Sequence, residues 1–172
     1  MKKGRYGRNS KQVRLGRTHL VIPDVQTKPG VPTDHLRWVG NYIAEKRPDV
    51  IVQIGDFADM PSLSSYTVGK AQAEGNRYND DITAARRAMS ILMEPFASIK
   101  GYRPELHLTL GNHEERIDRE ADANPKFMGT ISSKDLGYEE WGWKVHPFLK
   151  VVKIDGWEYS HYFITGAKGN PV

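Results

Sequence analysis

Apolar residues along the chain fall in short runs that stop at glycine, proline or a polar side chain, and these runs alternate with stretches of helical period. Thr18 to Ile22 predicts a strand halted by Pro23, which leaves Asp24 on the following loop. Leu36, Val39 and Ile43 recur on one helical face after Thr33 or Asp34 as cap, and Pro48 ends that helix near Arg47. Val50 to Ile54 is a β-branched run closed by Gly55-Asp56, so a second carboxylate stands just past a strand. A polar stretch from Ser62 to Asn79 precedes a helix from about Asp80, with Ile82, Ala85, Met89, Leu92 and Phe96 on one core-facing stripe and Pro95 expected to kink or end it.

Glu105 to Leu110 predicts a third strand, closed by Gly111-Asn112-His113-Glu114 and followed by a charged helix. Beyond it, Val145 to Ile154 and Glu158 to Ile164 read as two strands joined at Asp155-Gly156, a pair suited to a tight hairpin, so the β/α alternation gives way to antiparallel structure. The pattern is that of one layered α/β unit over residues 18–172, preceded by a tail at 1–17.

Composition narrows the chemistry. No cysteine is present, so a metal must be held by Asp, Glu, His, Asn or Gln, which points to hard or borderline divalent ions. No run approaches the roughly 18 apolar residues that span a bilayer, so no membrane association is expected, and the location expected is cytoplasmic. The net charge of +4 is uneven: residues 1–17 carry seven basic and no acidic side chains, and the remainder 18 basic and 21 acidic. That tail reads either as a solvated leader or as an electrostatic arm for nucleic acid or an acidic partner.

In an open α/β sheet, ligands collect beyond the carboxyl ends of the strands, where this chain offers Asp24, Asp56 and Asn112-His113. Two carboxylates brought that close repel each other unless a cation neutralises them. The glycines before Asp56 and Asn112 let the backbone turn sharply and approach a metal or phosphate.

Through Asp24-Val25-Gln26, Gly55-Asp56-Phe57-Ala58-Asp59, Gly111-Asn112-His113-Glu114 and Ser160-His161, in that order and at strand ends, the chain resembles the calcineurin-like metallophosphoesterase superfamily, and Trp141 through Phe163 is similar to its phage and bacterial members. The resemblance implies a layered β-sandwich flanked by helices and a dinuclear metal centre with a bridging hydroxide that hydrolyses a phosphomonoester or phosphodiester. It implies Asp24, Gln26, Asp56, Asn112 and His161 as metal ligands, with Asp56 bridging, and two divalent ions, manganese first with iron, nickel or zinc also suitable. It further implies His113 and Asn112 as the catalytic positions, with His113 orienting the phosphate or protonating the leaving group, and Asp59 and Glu114 as supports behind them.

Two departures qualify the resemblance. Position 26 is histidine in most of these enzymes and glutamine here, a neutral and weaker ligand. The family's closing Gly-His-x-His has no counterpart after His161, so the sequence reads as a domain incomplete at its carboxyl end, expected to self-associate or to be completed by a partner chain. The alternative to an enzyme is therefore a weak or inactive module of this fold that binds nucleic acid or a protein. His19, His35, His107 and His146 read as structural or solvent-facing, and Trp141, Trp143 and Trp157 as core packing rather than base-stacking platforms.

Overall fold

The computed structural model describes residues 16–165 and 170–171. The expectations for residues 1–15 lie outside the described residues.

Four parallel strands form one sheet in sequence order: β1 (His19–Ile22), β2 (Val50–Gln53), β3 (Glu105–Thr109) and β4 (Lys144–His146). Helices α1 (Asp34–Lys46) and α2 (Tyr78–Ala97) make the first two crossovers, and α3 (Glu115–Ala123) with several single 3₁₀ turns makes the third. Sequential order with right-handed crossovers lays the helices on one face of the sheet.

β2 is buried at all four positions because both its faces are covered. Ile51 joins the large core with Leu36, Ile43, Met89, Leu92, Phe96, Leu106 and Leu108 under the helices. Val50 and Val52 face the other way, onto Ile154. That second face carries an antiparallel hairpin of β5 (Val152–Ile154) and β6 (Trp157–Tyr159), turned at Asp155-Gly156, both at positive φ as the two-residue turn requires. A further short pair, β7 (Ile164–Thr165) and β8 (Asn170–Pro171), is antiparallel.

Four expectations change, and one is that Glu158 to Ile164 is not a single strand: β6 stops at Tyr159 and Ile164 opens β7. The stretch Val145 to Ile154 is two strands rather than one: its first part pairs parallel with β3, and a turn in which Lys150 N–H donates to the Pro147 carbonyl, with Leu149 at φ 63°, separates it from the hairpin. The parallel sheet thus runs one strand further than the alternation implied. Pro95 does not end α2, which continues to Ala97 with the ring against Gly40 of α1. A Cβ on Gly40 would stand 2.8 Å from Pro95 Cγ, so the glycine is what admits the proline. Trp157 is 69% exposed rather than packed, whereas Trp143 is buried.

Candidate active site

The carboxyl ends of β1 and β2 are sewn together by backbone before any side chain acts. Val25 and Gln26 N–H both donate to the Asp56 carbonyl, at 3.0 and 2.8 Å, Thr27 N–H donates to Phe57 O, and Asp59 N–H to Thr27 O. Gln26, Asp56 and Met60 all sit at φ near +50°, a conformation that costs non-glycine residues energy and persists only where the surroundings impose it.

Glu114 ties the third loop to the second. It is fully buried, and its carboxylate accepts N–H bonds from Asp56 (3.0 Å), Ala58 (2.9 Å) and Gly111 (2.9 Å), with the Tyr138 hydroxyl at 3.3 Å. Burial pushes its pKa up, and the N–H donors of Ala58 and Gly111 oppose that rise. Close approach also needs the glycines. A Cβ on Gly111 would collide with the Asp56 backbone and carboxylate, and one on Gly55 would stand 2.7 Å from His161 Nδ1.

Within this frame Asp56 is nearly buried. Its Oδ1 accepts the His113 N–H at 2.9 Å, and its Oδ2 lies 3.4 Å from His161 Nε2 and 3.6 Å from His113 Nε2. His161 Nδ1 stands 2.9 Å from the Ile54 carbonyl, which can only accept, so in the neutral ring the proton sits on Nδ1. Nε2 is then a lone pair, facing Asn112 Oδ1 at 3.0 Å as well as Asp56 Oδ2. Acceptors from three loops thus surround one small space and repel until a cation, or a second proton on His161, sits among them.

His113 approaches from the other side. Its Nδ1 meets Asp59 Oδ1 at 2.8 Å and the Asp59 carbonyl at 2.9 Å, while Arg116, always a donor, reaches its Nε2 at 3.2 Å. Arg116 is itself buried and also donates to the Asp59 carbonyl at 2.7 Å. Lys28 Nζ lies 2.8 Å from Asp59 Oδ2. The His113 hydrogen bond, with Lys28 behind it, holds the Asp59 carboxyl down at about 2, and Asp59 in turn raises His113 above the ordinary imidazole value.

Of the residues expected from sequence, the structure gathers Asp56, Asn112, His161 and His113. Asp24 stands at the rim, half exposed, with Oδ1 3.9 Å from His161 Nδ1. Gln26 contributes its backbone N–H, and its side chain is exposed. Among the described residues, no three His, Asp or Glu side chains already stand as an ion-binding group; one of the donors here is an asparagine and another lies at the rim. The donor set of carboxylate, amide and imidazole nevertheless suits divalent ions, and the converging lone pairs are the feature such an ion would relieve. Sequence reading missed Arg116, Lys28 and Tyr138. Only Arg116 left a signal, three residues after His113 at the start of a helix and so on the same face.

The parallel sheet and the loops gathered at its carboxyl edge agree with what comparison with known proteins finds. The chain belongs to the calcineurin-like phosphoesterase family, whose model matches residues 18–166. It is 30% identical over 151 residues to the Gene 54 protein of Mycobacterium phage L5 and 28% identical over 151 residues to the Gene 54 protein of Mycobacterium phage D29. Each match takes in 83% of this chain and 55% of the relative, so the chain spans about half the length of the curated relatives it matches. The family is one of metal-dependent phosphoesterases with dinuclear centres.

Proposed function

We propose that the chain hydrolyses a phosphomonoester or phosphodiester, with Asp56, Asn112 and His161, joined by Asp24 and by Gln26 if its side chain turns inward, holding two divalent cations, manganese first. The observation that supports this reading most is the set of lone pairs from Asp56, Asn112 and His161 turned on one space at the carboxyl ends of parallel strands. Bound there, divalent ions would neutralise the carboxylates and the phosphate and make water acidic enough to attack near neutral pH.

The side chains do the rest. Asp56 faces that space with Oδ2 while Oδ1 stays fixed by the His113 N–H, so the loop bearing His113 and the loop bearing Asp56 keep one spacing. His113 lies beside Asn112 and 3.6 Å from Asp56 Oδ2, within reach of a phosphate lodged there. Asp59 stabilises its imidazolium form, and once Nε2 turns from the Arg116 N–H that occupies its lone pair it would carry a proton to the departing oxygen as the phosphorus–oxygen bond breaks. Arg116 opposes that charge and holds the ring by its edge. We take the site of action to be the host cytoplasm, a reading that leans on the likeness to phage proteins.

The test combines metal analysis after manganese loading with hydrolysis of p-nitrophenyl phosphate and of its bis-ester. The expected result is manganese in the wild type, loss of manganese and turnover in Asp56→Asn, and retained manganese with turnover lower by roughly 10²–10⁴ in His113→Ala. Absence of metal, with equal background rates in all three proteins, would replace the enzyme with a binding module of the same fold.

A further inference from the structure

At the opposite end of the sheet, before the first residues of the strands, lies an open groove of about 490 Å³ whose walls include Arg17, Arg47, Arg103, Tyr102 and Glu105. Arg47 and Arg103 are exposed, and Arg103 also donates through one guanidinium nitrogen to the Ile99 and Tyr102 carbonyls, at 3.3 and 2.7 Å, which leaves its other nitrogens outward. The acids nearby are already engaged within the fold. Asp49 accepts the Thr18 N–H and hydroxyl, at 2.7 and 2.9 Å. Glu105 takes Lys144 and Arg17, each at 2.7 Å, and His107 at 3.0 Å. Those partners hold its carboxyl at about 2, so it stays ionised and occupied.

Arg17 links this groove to the tip of the β5–β6 hairpin, reaching Asp155 at 3.1 Å, and His19 binds the same carboxylate at 2.9 Å. One residue past that turn stands Trp157. It is paired across the hairpin with Ile154 and therefore shares its face, yet Ile154 is buried and Trp157 is 69% exposed. Lys153, on the neighbouring strand, is exposed as well. Leading into Arg17, residues 1–15 of the sequence hold Lys2, Lys3, Arg5, Arg8, Lys11 and Arg14 without an acid. Of these basic positions, Arg17 is the one among the described residues, and it lies at this end of the sheet.

We propose that this amino-terminal end of the sheet is a binding surface for single-stranded nucleic acid, with Arg17, Arg47 and Arg103 meeting the phosphates and the Trp157 indole stacking on an unpaired base. Basic residues alone would suit any polyanion. The bare indole, two residues from the Asp155 that Arg17 reaches, selects a strand whose bases are free, because every unpaired base offers a flat face and a duplex offers none along its length. An anionic membrane fits less well, since the indole stands alone here without the apolar stripe that insertion uses.

The test is fluorescence anisotropy of the full chain with a fluorescein-labelled oligothymidylate about 20 nucleotides long. It is run in EDTA, so its failure leaves the phosphoesterase reading untouched and the reverse. Trp157→Ala is expected to weaken binding by about 5–100-fold with the salt dependence unchanged, and Trp157→Phe to keep most of it. Arg47→Glu with Arg103→Glu is expected to weaken binding and flatten the slope of log affinity against log salt by about 1.4 for two lost phosphate contacts. Turnover of p-nitrophenyl phosphate should be unchanged in all of them. Equal oligothymidylate binding by wild type, Trp157→Ala and the double variant would overturn the proposal. So would binding to phosphatidylserine vesicles or to duplex DNA that matches or exceeds binding to the single strand.

Discussion

The two ends of the same four strands use the same kinds of charged side chain to opposite effect. At the carboxyl end Glu114, Asp56, Arg116 and Asp59 are buried; Glu114, Asp56 and Arg116 bind backbone groups of the loops that carry the candidate site, and Asp59 is held by His113 and Lys28. At the amino end, the side chains of Arg17 and Glu105 remain 41% and 30% exposed, and they pair with each other and with Asp155 and Lys144. Burial makes an unmet hydrogen bond costly, so the first network dictates geometry. Solvent screens the second, so its ion pairs are weak enough for a ligand phosphate to compete for Arg17.

That contrast can be broken most directly at Glu114. Glu114→Ala leaves the N–H groups of Asp56, Ala58 and Gly111 without their acceptor, and a loss of about 3–5 kcal/mol in urea unfolding is expected. Manganese binding should disappear with it. A loss below about 1 kcal/mol would mean that water replaces the carboxylate and that the loops are not held from within.

Asp59 should give an intermediate effect that depends on pH. Its folded pKa of about 2 lies below the ordinary value of 3.8, so its contribution to stability is present above pH 3.8 and is lost as pH falls through about 2. The stability difference between wild type and Asp59→Asn should therefore shrink across that window and level off beneath it, as followed by urea midpoints at successive pH values. A constant difference would mean that the His113 and Lys28 contacts do not hold the charged form.

The smallest effect is expected at Glu105. Glu105→Gln removes partners from Arg17 and Lys144 where solvent screens them, and a cost of about 0–1 kcal/mol, reduced further by added salt, should be measured in urea. A cost as large as that of Glu114→Ala would erase the distinction between the two ends.

Much of the fold was legible because its signals are local. The runs at Thr18, Val50 and Glu105 end in glycine, proline or polar groups within a few residues, and each became a strand of the parallel sheet. The Asp155-Gly156 turn was equally clear. Pro95 misled because propensity alone stops a helix there, whereas Gly40 on another helix makes room for the ring. Trp157 misled for a similar reason: an aromatic residue in a strand is buried only if some other element covers it, and among the described residues none does.

The same division holds for the candidate site. Sequence by itself determined the inventory of donors and the positions from which they start, because strand, turn and side-chain type are written within five or six neighbouring residues. It could not say that Glu114 would bond the N–H groups of Asp56 and Ala58, that His161 would set its Nδ1 on the Ile54 carbonyl, or that Gln26 would lend its backbone and leave its side chain exposed. Those outcomes depend on contacts between segments 30 to 107 residues apart. Only the closed sheet fixes such distances, and only burial decides which charges are bound into the fold and which stay free to bind.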